Sequence, residues 1–398
     1  MRKFALKKDR LMRILFLVYH GFSEHSGISK KIHYQVKGLR ENGHEVHLCY
    51  YAQDTNGHWC RYIDDVVLKD YGIGKIAALR HRTNYNCIYN YCIKENIQFV
   101  YARCFQNANP WLIHFFKQIR KAGVHAVTEI PTFPYDQEIA GAKGIRKLGF
   151  LMDKAFRHRL YRYMDGMVTF SDATTIFGQR TIRISNGVDL DTIPLHSPLT
   201  TLSSEVRQPI AFYHSPLHLI AVAEVHTWHG FDRLIEGLGL YYKNNAQPRQ
   251  VYFHLVGGIW SGHLIGERGI QTLIDKYGLL DKVFLHGQLF GDELTKVFNQ
   301  CQFAIGSLGR HRSGITAIKT LKNREYATRG IPFIYSEKDS DFDHQPYILK
   351  APADESPIDI QQIIDFMERF TMKPEEIRKT VEHLTWKIQM QKVLNSLI

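Results

Sequence analysis

Between Phe303 and Tyr335 the sequence runs FAIGSLGRHRSGITAIKTLKNREYATRGIPFIY, and its order of apolar and polar segments admits few folds. An apolar run ending in a glycine turn, Phe303 to Gly309, reads as a buried strand. A loop of small residues follows, then a segment of helical character, Ala317 to Thr328, and a second apolar strand over IPFIY. Strand, loop, helix and strand in that order make a βαβ unit, which requires a parallel sheet covered by helices. Ligands of such sheets sit at the carboxyl ends of the strands, against the first turn of the following helix. There the unpaired N–H groups and the helix dipole favour phosphate. Lys322 can neutralise a phosphate, and Glu325 lies near the same face, where a carboxylate can accept hydrogen bonds from ribose hydroxyls. This pattern predicts a nucleotide-diphosphate site.

The same alternation recurs along the chain, and 398 residues exceed what one ordinary core organises, so two domains are expected. RILFLVY is a buried strand, followed by a turn with Gly21 and Gly27, a helix through Leu39 and the strand EVHLCYY. Gly27 can bring backbone close to a phosphate or sugar; a glycine serving helix entry alone reads equally well. A helix around Tyr85 to Glu95, strand FVYAR, helix Pro110 to Lys121 and strand HAVTEI come next. The loop PTFPYDQE then presents Asp136 and Glu138 just beyond a strand end, and Arg103 ends the preceding strand. Either carboxylate can bind or deprotonate an acceptor hydroxyl. A rigid loop with solvated acids is the competing reading.

A long helix is expected over 143–164, with Ile145, Leu148, Met152, Phe156, Leu160 and Met164 as its core stripe. The other face holds Arg146, Lys147, Lys154, Arg157, His158 and Arg162, with Phe150 and Tyr161 among them. Such a face suits adsorption to an anionic leaflet, or is simply solvated. The strand DGMVTFS, a short helix and the turn Asn186-Gly187 lead to a connection rich in Ser, Thr and Pro, from Pro194 to Pro216. Domains over 12–195 and 196–373 follow from this. The second series starts at LIAVAEV and includes HLVGG, where Gly257 lets backbone approach a ligand. A final helix over 374–397 is free to pack back onto the first domain.

A net charge of +12 points to nucleic acid, an anionic membrane surface or phosphorylated substrates. No RNP-type aromatic motif, zinc finger or basic zipper occurs, so no nucleic-acid partner is expected. A GxGxxG fingerprint is absent, which argues against a dinucleotide enzyme. Six cysteines without CxxC or zinc spacing, and no secretory h-region, read as reduced thiols of a cytoplasmic protein.

Two Rossmann-like domains with the glycine loop at Gly27, EIPTFPYDQE, ISNGVD, WHGFDRLIEGL, HLVGG and TLKNREYATRGIPFIY, in that order, resemble the GT-B glycosyltransferases. The closest likeness is to the family 4 retaining enzymes, glycosyl transferases group 1, of the bacterial polysaccharide-assembly type. The resemblance implies an α/β GT-B fold with two parallel sheets facing an interdomain cleft. It places a UDP- or GDP-sugar donor on the second domain and a glycan or lipid-linked acceptor on the first, with no obligatory metal. Glu325 then matches the glutamate that binds the ribose hydroxyls. The first glutamate of the family's E-x7-E signature falls on Ala317, and the family's basic pair after the first strand of the second domain is replaced by Trp228 and His229. Charge for the diphosphate would come from Lys322, Arg310, Arg312 or His229, beside Thr320, Leu321 and Gly257. Asp136, Glu138, His229 and Lys322 are the catalytic candidates, and Arg103, Asp136 and Glu138 the acceptor-side ones. The expected location is cytoplasmic, with peripheral attachment at the inner face of the cell membrane through 143–164. A non-catalytic homologue serving as a scaffold and a nucleotide-sugar epimerase are the alternatives.

Overall fold

The computed structural model describes residues 11–23, 26–104, 106–136, 143–197, 215–259 and 261–397. Their contacts separate into two compact units. One comprises the described residues up to Gly187 together with 384–397, the other those from Val188 to His383.

The first unit is built on strands β1 (Arg13–Leu17), β2 (Glu45–Gln53), β3 (Trp59–Ile63), β4 (Val66–Asp70), β5 (Phe99–Ala102), β6 (His125–Ile130), β7 (Gly166–Thr169), β8 (Thr175–Ile176) and β9 (Gln179–Arg183). Their order in the sheet is β4-β3-β2-β1-β5-β6-β7-β9-β8. The centre, from β2 through β1, β5, β6 and β7 to β9, is parallel. The helices α1 (Gly27–Glu41), α2 (Lys75–Leu79), α3 (Asn86–Lys94), α4 (Pro110–Lys121) and α5 (Gly144–Tyr161) connect the strands. β1 shows why both faces must be covered: Leu15 and Leu17 enter one core, Ile14 and Phe16 the other.

The second unit carries β10 (Leu217–Val222), β11 (Val251–Val256), β12 (Val283–Gly287), β13 (Phe303–Ile305), β14 (Phe333–Tyr335) and β15 (Ile348–Lys350). These form one parallel sheet in the order β12-β11-β10-β13-β14-β15. Its helices are α6 (Phe231–Asn244), α7 (Ser261–Leu264), α8 (Ile270–Tyr277), α9 (Gly291–Gln300), α10 (Leu321–Arg329), α11 (Ile360–Arg369) and α12 (Pro374–Lys379). A last helix, α13 (Trp386–Asn395), belongs to the first unit and lies on α1. The Asn42 side-chain Nδ2 donates to the Lys387 carbonyl at 2.8 Å, and a Cβ at Gly38 would fall 2.7 Å from the Trp386 backbone. Gly187 of the NGVD turn is likewise needed for contact, because a Cβ there would lie 2.4 Å from the Trp386 ring.

Four local expectations are corrected. The segment 374–397 is not one helix: α12 ends at Lys379 and α13 starts at Trp386, with a single turn of 3-10 helix between them. The short helix expected before RTIRIS is a hairpin of β8 and β9, turned at Phe177 and Gly178, both with positive φ. The strands β3 and β4 extend the sheet antiparallel where the sequence had suggested no element. On α5 the expected core stripe is only half buried. Of that stripe Leu160 is core, as is Met164 just past the helix end, whereas Leu148 is 69% exposed; Leu151, outside the stripe, is exposed as well.

Candidate active site

The carboxyl ends of the second unit's strands bring three loops together. The loop after β10 carries His226 to His229 and is clamped to the loop after β13. The Leu308 amide donates to the His229 carbonyl at 2.8 Å and the Gly309 amide to the Trp228 carbonyl at 3.2 Å. This contact requires glycine at 230, where φ is +63° and a Cβ would stand 2.7 Å from Gly309 N. Gly257 is under a similar constraint: φ is +135° and a Cβ would overlap the Ala223 carbonyl.

His229 is buried, and burial is the main cause that holds its pKa well below the ordinary value, helped by the charges of Lys322 and Arg310. The ring is therefore neutral at physiological pH and brings no positive charge. Its Nδ1 accepts from the His226 amide at 3.1 Å, which leaves the proton on Nε2 as a hydrogen-bond donor.

α10 starts at Leu321, not Ala317, because the Thr320 hydroxyl caps it by accepting from the Asn323 amide at 3.4 Å. Ala317 lies in an extended bridge beside Lys338. Lys322 occupies the first turn of α10. Its Nζ is buried, lies 5.6 Å from the Phe231 ring centre and has no hydrogen-bond partner among the described residues. Burial lowers its pKa to about 7, with Arg310 adding to the effect and Glu337 opposing it. Glu325 stands on the next turn, partly exposed and paired with Arg329 at 3.1 Å.

Between them Arg324 is buried in an ion-pair cluster. Its Nη2 donates to Asp339 at 2.9 Å, and it also binds Asp341. This ties the start of α10 to the segment following β14. Arg310 lies over the Trp228 ring, 5.7 Å from its centre. Arg312 is engaged elsewhere: it binds Asp232 through two bonds of 2.9 and 2.8 Å, Glu355, and the Thr227 carbonyl. A cavity of about 360 Å³ opens beside this cluster, lined by His226, Thr227, Asp232, Arg268, Arg312 and Glu355 among others.

In the first unit Gly27 is the first residue of α1, behind the Ser26 cap. Arg103 follows β5, with Nε 3.1 Å from the wholly buried Glu129. Glu129 also receives Lys31 at 3.1 Å, Gln35 at 2.6 Å and the Tyr101 hydroxyl at 2.7 Å. Burial alone would raise the Glu129 pKa, but Lys31 and Arg103 outweigh it and hold the carboxyl at about 2. Asp136 is drawn away from this group. Both its oxygens are taken by Arg157, at 2.7 and 3.0 Å, so Arg157 is not part of a solvated basic face as the sequence suggested. Glu138 lies outside the described residues.

The structure thus brings the predicted Thr320, Lys322 and Glu325 together at one helix start and sets Arg103 against Glu129, whereas Glu129, Lys31, Arg324 and Glu337 were not singled out from the sequence. A signal existed for Glu129, a lone charge in the otherwise uncharged strand HAVTEI. Arg324 offered none, since KNRE reads as an exposed polar turn until Asp339 and Asp341 are placed.

No family model and no curated sequence matches the chain. Solved structures do match. Sucrose-phosphate synthase from Thermosynechococcus elongatus aligns over 98% of this chain and 99% of its own, at 17% identity and a TM-score of 0.61. HepE of Anabaena, solved with UDP and with UDP-glucose, aligns over 97% of this chain and all of its own, at 15% identity and a TM-score of 0.59. The chain has the GT-B fold. AviGT4, a glycosyltransferase involved in avilamycin A biosynthesis, shares this architecture over 97% of both chains, at 11% identity and a TM-score of 0.53.

Proposed function

We propose that this GT-B chain is a retaining glycosyltransferase that moves a sugar from a UDP- or GDP-sugar to a glycan or lipid-linked acceptor in surface polysaccharide synthesis. The observation that carries the reading is the buried, unpartnered ammonium of Lys322 in the first turn of a capped helix, with Glu325 one turn further on. HepE, of the same fold, has been solved with UDP-glucose, which supports a nucleotide-sugar donor.

In this reading Lys322 and the α10 amides stabilise the charge that develops on the departing diphosphate, and His229 Nε2–H donates to it. The acceptor oxygen attacks the anomeric carbon on the face the phosphate leaves. The carbon–oxygen bond to phosphate breaks, the new glycosidic bond forms, and the acceptor proton passes to a phosphate oxygen. Glu325 accepts from the ribose hydroxyls. Gly27, Arg103 and the loop of Asp136 and Glu138 serve the acceptor side. A scaffold lacking catalysis draws its support from Ala317, and would bind no donor.

Glu325→Ala separates these readings. It is expected to weaken UDP or GDP binding about 10- to 100-fold by calorimetry, the value of one net hydrogen bond to a charged acceptor. The fold should be kept, since Glu325 is partly exposed and pairs with Arg329 on its own helix. Unchanged affinity would remove the ribose role.

A lipid-linked acceptor would bring the protein to a membrane. Among the described residues no helix is long and apolar enough to cross one. Exposed Leu148 and Leu151 on α5 stand among Lys147, Lys154 and Arg159, and Arg82 approaches α5 at Gly149. That mixture of apolar and basic groups suits an anionic leaflet. Changing Leu148 and Leu151 to Asp, with Lys147 and Lys154 to Glu, should abolish co-sedimentation with phosphatidylglycerol vesicles at low salt. Equal sedimentation of variant and parent would contradict peripheral attachment through α5.

A further inference from the structure

Two residues past β14, Glu337 is 2% exposed, and among the described residues neither carboxylate oxygen has a hydrogen-bond partner on another residue. A buried carboxylate left in this way is costly, and such groups are normally satisfied by a ligand, an ion or ordered water, or used in a reaction. The Lys322 ammonium nearby is buried and unpartnered as well. The two groups lie close enough for each to influence the other's titration, yet no hydrogen bond joins them.

The backbone explains why they do not collapse onto each other. Glu337 is held on both sides: the Ser336 amide donates to Ser307 O at 2.9 Å and the Lys338 amide to Thr316 O at 2.8 Å. The Arg324 cluster, two residues after Lys322, grips Asp339 and Asp341, just beyond Glu337. Lys322 and Glu337 are thus both carried on backbone anchored beside the Arg324 ion pairs. Burial pushes the Glu337 pKa up to about 7, while its own amide, Arg310 and Lys322 pull the other way.

An ammonium in need of an acceptor and a carboxylate in need of donors, fixed near each other, fit a molecule carrying both complements. A glycosyl phosphate does so, with a phosphate oxygen next to sugar hydroxyls. We propose that Glu337 accepts hydrogen bonds from hydroxyls of the donor sugar while Lys322 holds the adjoining phosphate, so that Glu337 selects the sugar. This rests on the nucleotide-sugar reading of the site. The carboxylate comes from the chain beside Ala317, since Ala317 is bridged to the neighbouring Lys338.

The test is calorimetric titration of the full chain, as parent, Glu337→Leu and Glu337→Gln, with UDP, UDP-glucose, GDP and GDP-mannose. Both variants lose an unpaired buried charge, so they are expected to fold and to melt no lower than the parent. The proposal predicts at least tenfold weaker binding of whichever sugar nucleotide the parent binds. Binding of the matching nucleoside diphosphate should be unchanged or tighter, because a negative charge beside Lys322 has gone. Equal losses for nucleotide and sugar nucleotide would mean that Glu337 acts through Lys322, and unchanged sugar-nucleotide affinity would mean no contact with the sugar. Either result overturns the proposal while leaving the nucleotide site intact. A parent chain that binds none of the four ligands overturns the parent reading, and the sugar assignment with it.

Discussion

Replacing Lys322 with methionine is expected to abolish nucleoside-diphosphate binding and at the same time make the protein more stable. The parent ammonium is buried without a hydrogen bond, a state that costs about 1–3 kcal/mol relative to an apolar side chain of similar length. Methionine fills the space beside Phe231 and removes that cost. The melting temperature should rise by several degrees, while affinity for UDP or GDP falls about 100-fold or more as a charge-assisted contact is lost. The pH dependence gives a second readout. The folded-state pKa is about 7, below the ordinary lysine value, so the unfolded chain holds more protons between pH 7 and about 10. Parent stability should therefore gain a contribution as pH rises through that window, and Lys322→Met should lack it. Donor affinity runs the opposite way: phosphate needs the ammonium, so binding weakens above pH 7. A variant that is less stable than the parent, with affinity unchanged, would show that Lys322 is a structural residue.

Asp339→Ala is expected to have the largest effect on stability. Arg324 is 1% exposed and Asp339 wholly buried, and the pair joins α10 to the segment carrying Glu337. Removing one partner leaves a buried guanidinium with Asp341 as its remaining carboxylate, a change that costs about 3–5 kcal/mol in comparable sites. Urea unfolding followed by fluorescence should show a lower midpoint. Donor affinity should fall too, since Lys322 and Glu337 lose the tie that spaces them. An unchanged midpoint would mean that the cluster contributes little beyond its own desolvation.

What could be read from the sequence was local. Thr320, Lys322 and Glu325 share one helix start, and their spacing alone sets them on the ligand side of a βαβ unit. The parallel sheets were legible for the same reason, since apolar strands alternate with amphipathic helices. Glu337 was not legible, because it sits in the acidic run SEKDSDFD, where every carboxylate looks solvated. Asp339 and Asp341 turn toward Arg324, fifteen and seventeen residues away in the sequence. Asp136 was read as a free acid because its partner Arg157 comes from the far end of a helix whose face is set by tertiary packing. The exposed Leu148 had the spacing of a core residue, and periodicity cannot distinguish a buried stripe from one left for another surface. The β8–β9 hairpin escaped because its turn uses Phe177 with a positive φ, a position where glycine or asparagine is the usual signal.

The most direct test is titration of the full chain with UDP-glucose and GDP-mannose at pH 6.5 and pH 8.5. A site built on the Lys322 ammonium and the first turn of α10 predicts saturable binding of at least one of them, markedly weaker at the higher pH. Absence of binding by either sugar nucleotide at both pH values would contradict the assignment of this helix start as a donor site.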